Sequence, residues 1–504
     1  MKQLNLHIKL LPILRKYIPY FLLAVVVLSM IFLIISIVKS AYYYQYDSDE
    51  FYHVQRAYLI ALGLKPYTSF FFFFSSIFHR ALIPVLLLFG FSFATLGKIR
   101  IFMVLLFAVR VTLTVLFINK VFNRRTALLF IPLFLFDPFT VFSSMQIRPD
   151  NLMMIFYILG FLIFVIGFFK SSKPLLFLSG TVFGLSFLTL IKITPQLATL
   201  FVIYGIYCVL NREFKNFILL LDGFVLSVFL FCLYHLFNGS FFSMIEQVFI
   251  FSFSLPSLMT NQVPYGFFHQ PNNGFIYGLM GKPLTWAYVW VLPLLASAGA
   301  YLKLKNINNK KQLVQVILVV GLVVQYLFLL NLSMVFIQYY IPFQWLLALF
   351  AAVMLEDLIF NKFPSGFFHQ LFKSGLFIIF LILVYVSVQA NNARTVFRSE
   401  PQISQFAPIW SKVPQNAAIF PSILFRPIAY PLSVYDDQLN NFDTFSSVKN
   451  TFPKHIDSFE KNKVPYLVID DPIKFYTLEP GLDKYIENHY QKIDSQINLY
   501  KRVK

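Results

Sequence analysis

The sequence predicts a polytopic α-helical membrane protein with a small soluble α/β domain at its C-terminal end. Three observations carry that prediction. Hydrophobic residues fill 58% of the 504 positions and charged residues only 12%, with a mean hydropathy of +0.70; a soluble domain carries about twice that charge. Apolar stretches of about 18 residues or more, the length that crosses about 30 Å of hydrocarbon as a helix, recur through residues 1–392. From about position 393 the composition turns hydrophilic.

The net charge of +19 is uneven: residues 393–504 hold 14 of the 41 Lys/Arg and 12 of the 22 Asp/Glu, leaving 27 basic and 10 acidic residues before them. An excess placed at the ends of apolar runs points to anchoring at membrane faces and attraction of a lipid phosphate, not to nucleic acid. Both cysteines, Cys208 and Cys232, lie in apolar runs, so no disulfide framework is available to the tail.

The first span is 17–38. Lys2, Lys9, Arg15 and Lys16 precede it, and it is longer than a signal-peptide core, so it is expected to stay uncleaved. A long outer loop, 39–100, follows. Within it 81–97 is apolar enough to cross, but a crossing there would turn every later basic cluster outward. It therefore reads as an interfacial or re-entrant helix, preceded by the phenylalanine-rich run 70–74, which suits the headgroup region. Ten further spans are expected at 101–119, 126–146, 151–169, 174–191, 195–210, 216–236, 284–302, 312–333, 340–358 and 375–392. With the N-terminus inside, the cytoplasmic segments then hold 17 of the 27 basic residues, as the positive-inside tendency requires. Eleven spans put the tail, 393–504, outside. There 417–420, 466–470 and 497–500 have strand character, and 446–461 and 481–492 helix character.

Carboxylates are scarce in the apolar region, yet Asp47, Asp49 and Glu50 fall within four positions at the exit of the first span, in Tyr46-Asp-Ser-Asp-Glu-Phe-Tyr-His53. Two readings stay open. The acids cap a helix over 51–62 that Gly63 closes, or they carry proton transfer at the water-facing mouth of the bundle. A second acid on the same side, in Gln146-Ile-Arg-Pro-Asp150, favours the latter. Arg148 pairs with Asp150 or binds phosphate, and Asp150 caps the next span or orients an acceptor. Lys192, at the outer end of the fifth span, is a snorkelling anchor or a phosphate ligand, and His79 and Arg80 share that ambiguity. Arg110 and Asp137 each lie about 15 Å deep on adjacent antiparallel spans, where an unpaired charge is costly; a structural Arg110–Asp137 ion pair is expected. His235, His269, His369 and His455 share no ligand spacing with carboxylates or cysteines. No metal motif and no nucleotide-binding loop appears, and a divalent metal ion stays open as a cofactor.

Asp49-Glu50-x-x-His53, then Ala57, Gly63 and Pro66-Tyr67, resembles the first outer loop of the GT-C superfamily of membrane glycosyltransferases, in its protein O-mannosyltransferase-like and lipid A aminoarabinose transferase-like branch. Gln146-Ile-Arg-Pro-Asp150 resembles that branch's second acidic motif. Lys192 and Gln338-Tyr339-Tyr340-Ile341-Pro342 fit its basic residue and its aromatic entry to a late span. The likeness covers about residues 1–392; where relatives carry His-x-Pro this chain has Phe74-Ser-Ser-Ile-Phe-His79.

The resemblance implies an inverting transfer of a sugar from a polyprenyl-phosphate donor to a lipid, glycan or protein acceptor outside the cytoplasm, at a bacterial inner membrane. It implies Asp49 as general base, Glu50 and Asp150 as supporting catalytic carboxylates, and His53, His79, Arg80, Arg148, Lys192, Gln338, Tyr339 and Tyr340 as substrate contacts. The competing classes are a transporter or flippase, and a polymerase or ligase, of lipid-linked glycans. A transporter would set its ionisable residues along a path through the membrane rather than at one surface.

Overall fold

The computed structural model describes residues 2–90, 92–251, 282–304, 309–332, 336–362, 366–414, 417–422, 454–469, 471–477, 479–495 and 497–503. A long first helix, α1 (Lys2–Tyr43), leads into α2 (Ser48–Ala61) and α3 (Ile77–Phe89) of the first loop. The bundle continues through α4 (Phe93–Val121), α5 (Arg124–Leu135), α6 (Pro138–Met145), α7 (Asp150–Lys170), α8 (Lys173–Thr189), α9 (Thr194–Leu210) and α10 (Phe214–Phe237). Later helices include Leu292–Leu304, Lys310–Leu330, Ile341–Asp357 and Phe367–Arg394.

Among the described residues nine helices are long and apolar enough to cross a membrane, or ten if the bent pair α5 and α6 is one span. The expected span at 174–191 is α8, whose 17 residues rise about 25 Å, just short of that length. The apolar stretch 81–97 is not one helix: α3 ends at Gly90, whose φ of +83° suits glycine, and α4 begins at Phe93.

The helix Ile341–Asp357 is buried without interruption from Ile341 to Val353, inside the bundle. A helix apolar on every face needs neighbours all round. Its Trp345 is fully buried and donates its ring N–H to Thr114 Oγ1 on α4 at 3.2 Å. At the outside, Phe237, Leu210 and Phe242 are at least three-quarters exposed, as a lipid-facing surface allows. Helices α8 and α10 touch backbone to backbone: a Cβ on Gly180 would lie 1.9 Å from Leu220 O, and one on Gly223 would lie 2.0 Å from Phe177 O.

Between α5 and α6 the chain turns by 70°. Pro138, first residue of α6, cannot continue the preceding helix, and Asp137 caps the new one by accepting from Phe139 N at 3.0 Å and Thr140 N at 3.2 Å.

The tail forms a four-stranded sheet of order β1-β2-β4-β3, with β1 Ile419–Ser422, β2 Tyr466–Ile469, β3 Tyr490–Asp494 and β4 Leu499–Arg502. β1 and β2 are parallel, and β4 lies antiparallel to both β2 and β3. Helices His455–Asn462 and Leu482–His489 match two expected ones, although the second ends three residues early and gives way to β3; 446–453 lies outside the described residues. Side chains alternate between two cores. Phe420, Leu467, Ile469 and Tyr500 meet the tail's own helices. Ile419, Tyr466, Val468 and Leu499 share a core with Tyr46, Phe51, Phe78 and Leu82 of the first loop. One face of the sheet thus sits on the loop that carries the acids.

Candidate active site

Asp47 is the N-cap of α2, closed by a capping box in which Glu50 returns to the Asp47 backbone N–H. This start of α2 faces the segment between α6 and α7, which carries Arg148. One guanidinium serves both acids: Arg148 Nη2 donates to Asp47 Oδ2 at 2.9 Å and Nη1 reaches Asp49 Oδ2 at 2.8 Å, while Nε donates to Gln146 Oε1 at 3.0 Å. Arg148 is 8% exposed and Asp49 51%, so the cation is enclosed and the acid opens to solvent.

The electrostatics separate the two aspartates. Burial pushes the Asp47 carboxyl up, but the Arg148 charge, the Asp49 N–H and the Ser48 hydroxyl hold it below the usual range. Asp49 has the same opposing cation, yet crowding by protein and the neighbouring charges of Asp47 and Glu50 leave it above the usual range. Burial opposes the charge on Arg148, but Asp49, Asp47 and Asp150 outweigh it and keep the guanidinium firmly protonated.

A second ion pair sits beside the first. Lys192, in the short turn Ile191–Ile193 before α9, pairs with Asp150 at the start of α7. Its ammonium also donates to Gln338 O at 2.7 Å and lies 5.2 Å from the centre of the Tyr339 ring. Asp49, Asp150 and Arg148 all act electrostatically on the Tyr339 hydroxyl, which places both ion pairs in one neighbourhood. Asp49, Arg148, Asp150, Lys192, Gln338 and Tyr339 therefore lie together.

Other candidates are placed differently. Glu50 is fully buried and fully engaged: Arg100 donates to both its oxygens, with Nε to Oε2 at 2.7 Å, and Ile147 N donates to Oε2 at 3.0 Å. The same Arg100 donates to the carbonyls of Ala41, Tyr44 and Gln45. Glu50 thus ties α2, α4 and the Arg148 segment together and has no free oxygen for a substrate. Arg100 is a residue that sequence reasoning missed, because a basic residue opening a span looks like an anchor.

His53 and His79 hydrogen-bond to each other, Nδ1 to Nε2 at 2.9 Å, among Phe72, Phe74 and Phe78. Burial pushes both below the ordinary histidine value, His79 to about 3, with Arg148 adding to the effect on His53 and Arg56 on His79. Both are neutral. Arg80 points elsewhere, donating to Tyr234 Oη at 2.7 Å at the end of α10. Tyr340 is buried against Phe139.

Arg110 and Asp137 do not form the expected ion pair. Arg110 donates to Ser144 Oγ at 2.8 Å and lies between the rings of Phe107 and Phe134, while Asp137 is committed to capping α6. The helix break at Asp137-Pro138 creates open backbone N–H groups, and these claim the carboxylate first.

Among the described residues no group of three or more His, Cys, Asp or Glu is gathered closely enough to hold a metal ion. The two open carboxylates, Asp47 and Asp49, are both engaged by Arg148, a poor fit to a divalent cation.

No protein-family model matches this chain, and no curated protein matches it in sequence. Solved structures do match in fold. ArnT from Cupriavidus metallidurans bound to undecaprenyl phosphate shares 14% identity at a TM-score of 0.61, covering 96% of this chain and 98% of that one. The apo state of the same protein gives 0.59. The Archaeoglobus fulgidus oligosaccharyltransferase in complex with Zn and sulfate gives 0.51 at 14% identity, covering 91% of this chain and 71% of that one. At such identities the likeness is one of fold alone.

Proposed function

We propose that this chain is an inverting glycosyltransferase that moves a sugar from a polyprenyl-phosphate donor to an acceptor at the extracytoplasmic face of a bacterial inner membrane. The N-terminus lies in the cytoplasm, and 393–504 forms an outer domain over the catalytic membrane domain 1–392. The carrying observation is the meeting of two ion pairs, Asp47/Asp49–Arg148 and Asp150–Lys192, at one site built from four separate segments. The fold shared with ArnT bound to undecaprenyl phosphate supports a lipid phosphate as the donor's leaving group.

The chemistry follows from the placement. Asp49, solvent-open and with its proton affinity raised, takes the proton of the acceptor hydroxyl. The acceptor oxygen attacks the anomeric carbon from the face opposite the phosphate, and the bond from that carbon to the phosphate oxygen breaks with inversion. The electron pair leaves on the polyprenyl phosphate, whose charge Lys192 and Arg148 offset. Asp150 holds Lys192, and Tyr339 borders it. A donor already activated by its phosphate needs no soluble nucleotide, in keeping with a sequence that has no nucleotide-binding loop.

The test is transfer of radiolabelled sugar from a polyprenyl phosphate by the purified protein and by Asp49→Asn. Loss of about 100-fold or more in turnover is expected, the scale of a general base. Unchanged transfer by a folded Asp49→Asn protein removes Asp49 from the role. Lipid translocation without any covalent transfer would replace the enzyme with a flippase.

A further inference from the structure

We infer that Gln402 of the C-terminal segment is a positioning residue for the acids at the site. The three residues Tyr44 to Tyr46 join α1 to the N-cap Asp47 and belong to no helix. Two separate parts of the molecule hold their backbone. From α4, Arg100 takes the carbonyls of Tyr44 and Gln45. From the tail, Phe397 O accepts Gln45 N at 2.8 Å, Arg398 pairs with Tyr44 as an isolated antiparallel bridge, and Gln402 brackets Tyr46. The bracket is two-sided: Gln402 Oε1 accepts Tyr46 N at 2.8 Å and Gln402 Nε2 donates to Tyr46 O at 2.9 Å.

A primary amide, with its carbonyl and N–H groups side by side, meets both backbone groups of one residue as a neighbouring strand would. The bracket is anchored by packing, because Phe406 and Ile409 share a buried core with Tyr46 and Phe51, and the Phe406 and Phe51 rings lie 5.9 Å apart. One residue after the bracket comes Asp47, and two further on Asp49, both held by Arg148. A linker released at Tyr46 lets the start of α2 shift against Arg148, and a small misplacement of a catalytic group costs turnover more than binding. The Lys192 pair, by contrast, is built from α7, the turn before α9 and the segment Ile337–Tyr340, whereas the Gln402 amide is spent on Tyr46. The positioning stands on this geometry; its effect on rate rests on the reading of Asp49 as the base.

Gln402→Glu keeps the acceptor but sets a carboxylate oxygen against Tyr46 O, and Gln402→Ala removes both bonds. In the full-length protein in detergent, hydrogen exchange of a peptide covering 43–52 is expected to quicken about tenfold in either variant, the effect of about one net hydrogen bond. Protection of α4 and α7 should stay at the wild-type level. Turnover should fall about tenfold, while the affinity for undecaprenyl phosphate, measured by binding, stays within twofold. Unchanged exchange over 43–52 overturns the positioning. Faster exchange with unchanged turnover shows that the bracket holds the linker but does not position the acids for reaction, and overturns the inference in that form. A wild-type protein that transfers no sugar, while its exchange still responds to Gln402, defeats the transferase reading and leaves the bracket standing.

Discussion

Arg148 gives one guanidinium to two aspartates, of which Asp49 is the more exposed, 51% against 36% for Asp47. Two like charges on one cation cannot both be equally easy to ionise; Asp47 is held down and Asp49 is pushed up. Activity that needs ionised Asp49 is present above its raised pKa and is lost as pH falls through it. The acidic limb of the rate profile should therefore lie above the ordinary carboxylate range. Removing the Asp47 charge with Asp47→Asn lowers the Asp49 pKa, and the limb should move to lower pH. Removing the cation with Arg148→Gln raises it, and the limb should move to higher pH. A pH–kcat/KM profile of the three proteins checks both signs. The buried Glu50–Arg100 pair makes a different prediction. Arg100→Met leaves an uncompensated carboxylate in the interior, a loss of about 3–5 kcal/mol, visible as a lower melting temperature in detergent.

At the scale of elements, helix contact is decided by small residues. Gly180 and Gly184 on α8 meet Gly223 and Ser227 on α10, with Ser227 Oγ donating to Thr181 O at 2.8 Å. Such small residues four apart are a sequence signal for close helix packing. Gly180→Ala puts a methyl group where Leu220 O already sits, and is expected to destabilise by at least about 2 kcal/mol, measured by thermal unfolding. The misplaced Arg110–Asp137 pair has an element-scale cause. Counting depth along a straight helix ignores the Asp137-Pro138 break, whose proline and capping acid were both readable as a helix start. Strand β3 was hidden for the opposite reason: no turn residue separates His489 from Tyr490, so the helical pattern runs on into it.

For the whole molecule, the tail and the first loop share one core, and the tail is part of the scaffold of the site. A donor lipid that seats its phosphate against Lys192 binds only the folded chain. Undecaprenyl phosphate at about 100 times its Kd should add about 2.7 kcal/mol of stability, read as a rise in melting temperature. Lys192→Met should abolish that rise. The same variant should unfold at a lower temperature without lipid, because Asp150 loses its buried partner.

The membrane class, the long apolar helices and the ionisable residues near their ends are legible along the chain: Asp49, Arg148, Asp150 and Lys192 stand out because charge is rare and costly in apolar surroundings. Those are properties of windows of about 20 residues, and hydropathy with helical period is enough to see them. Which acid meets which cation is settled by packing across the folded chain. Arg148 reaches Asp47 across 101 positions, Lys192 reaches Gln338 across 146, and Gln402 reaches Tyr46 across 356. Partners so distant along the chain leave no mark in local pattern. Packing alone chose Arg100 for Glu50, and helix capping took Asp137 from Arg110.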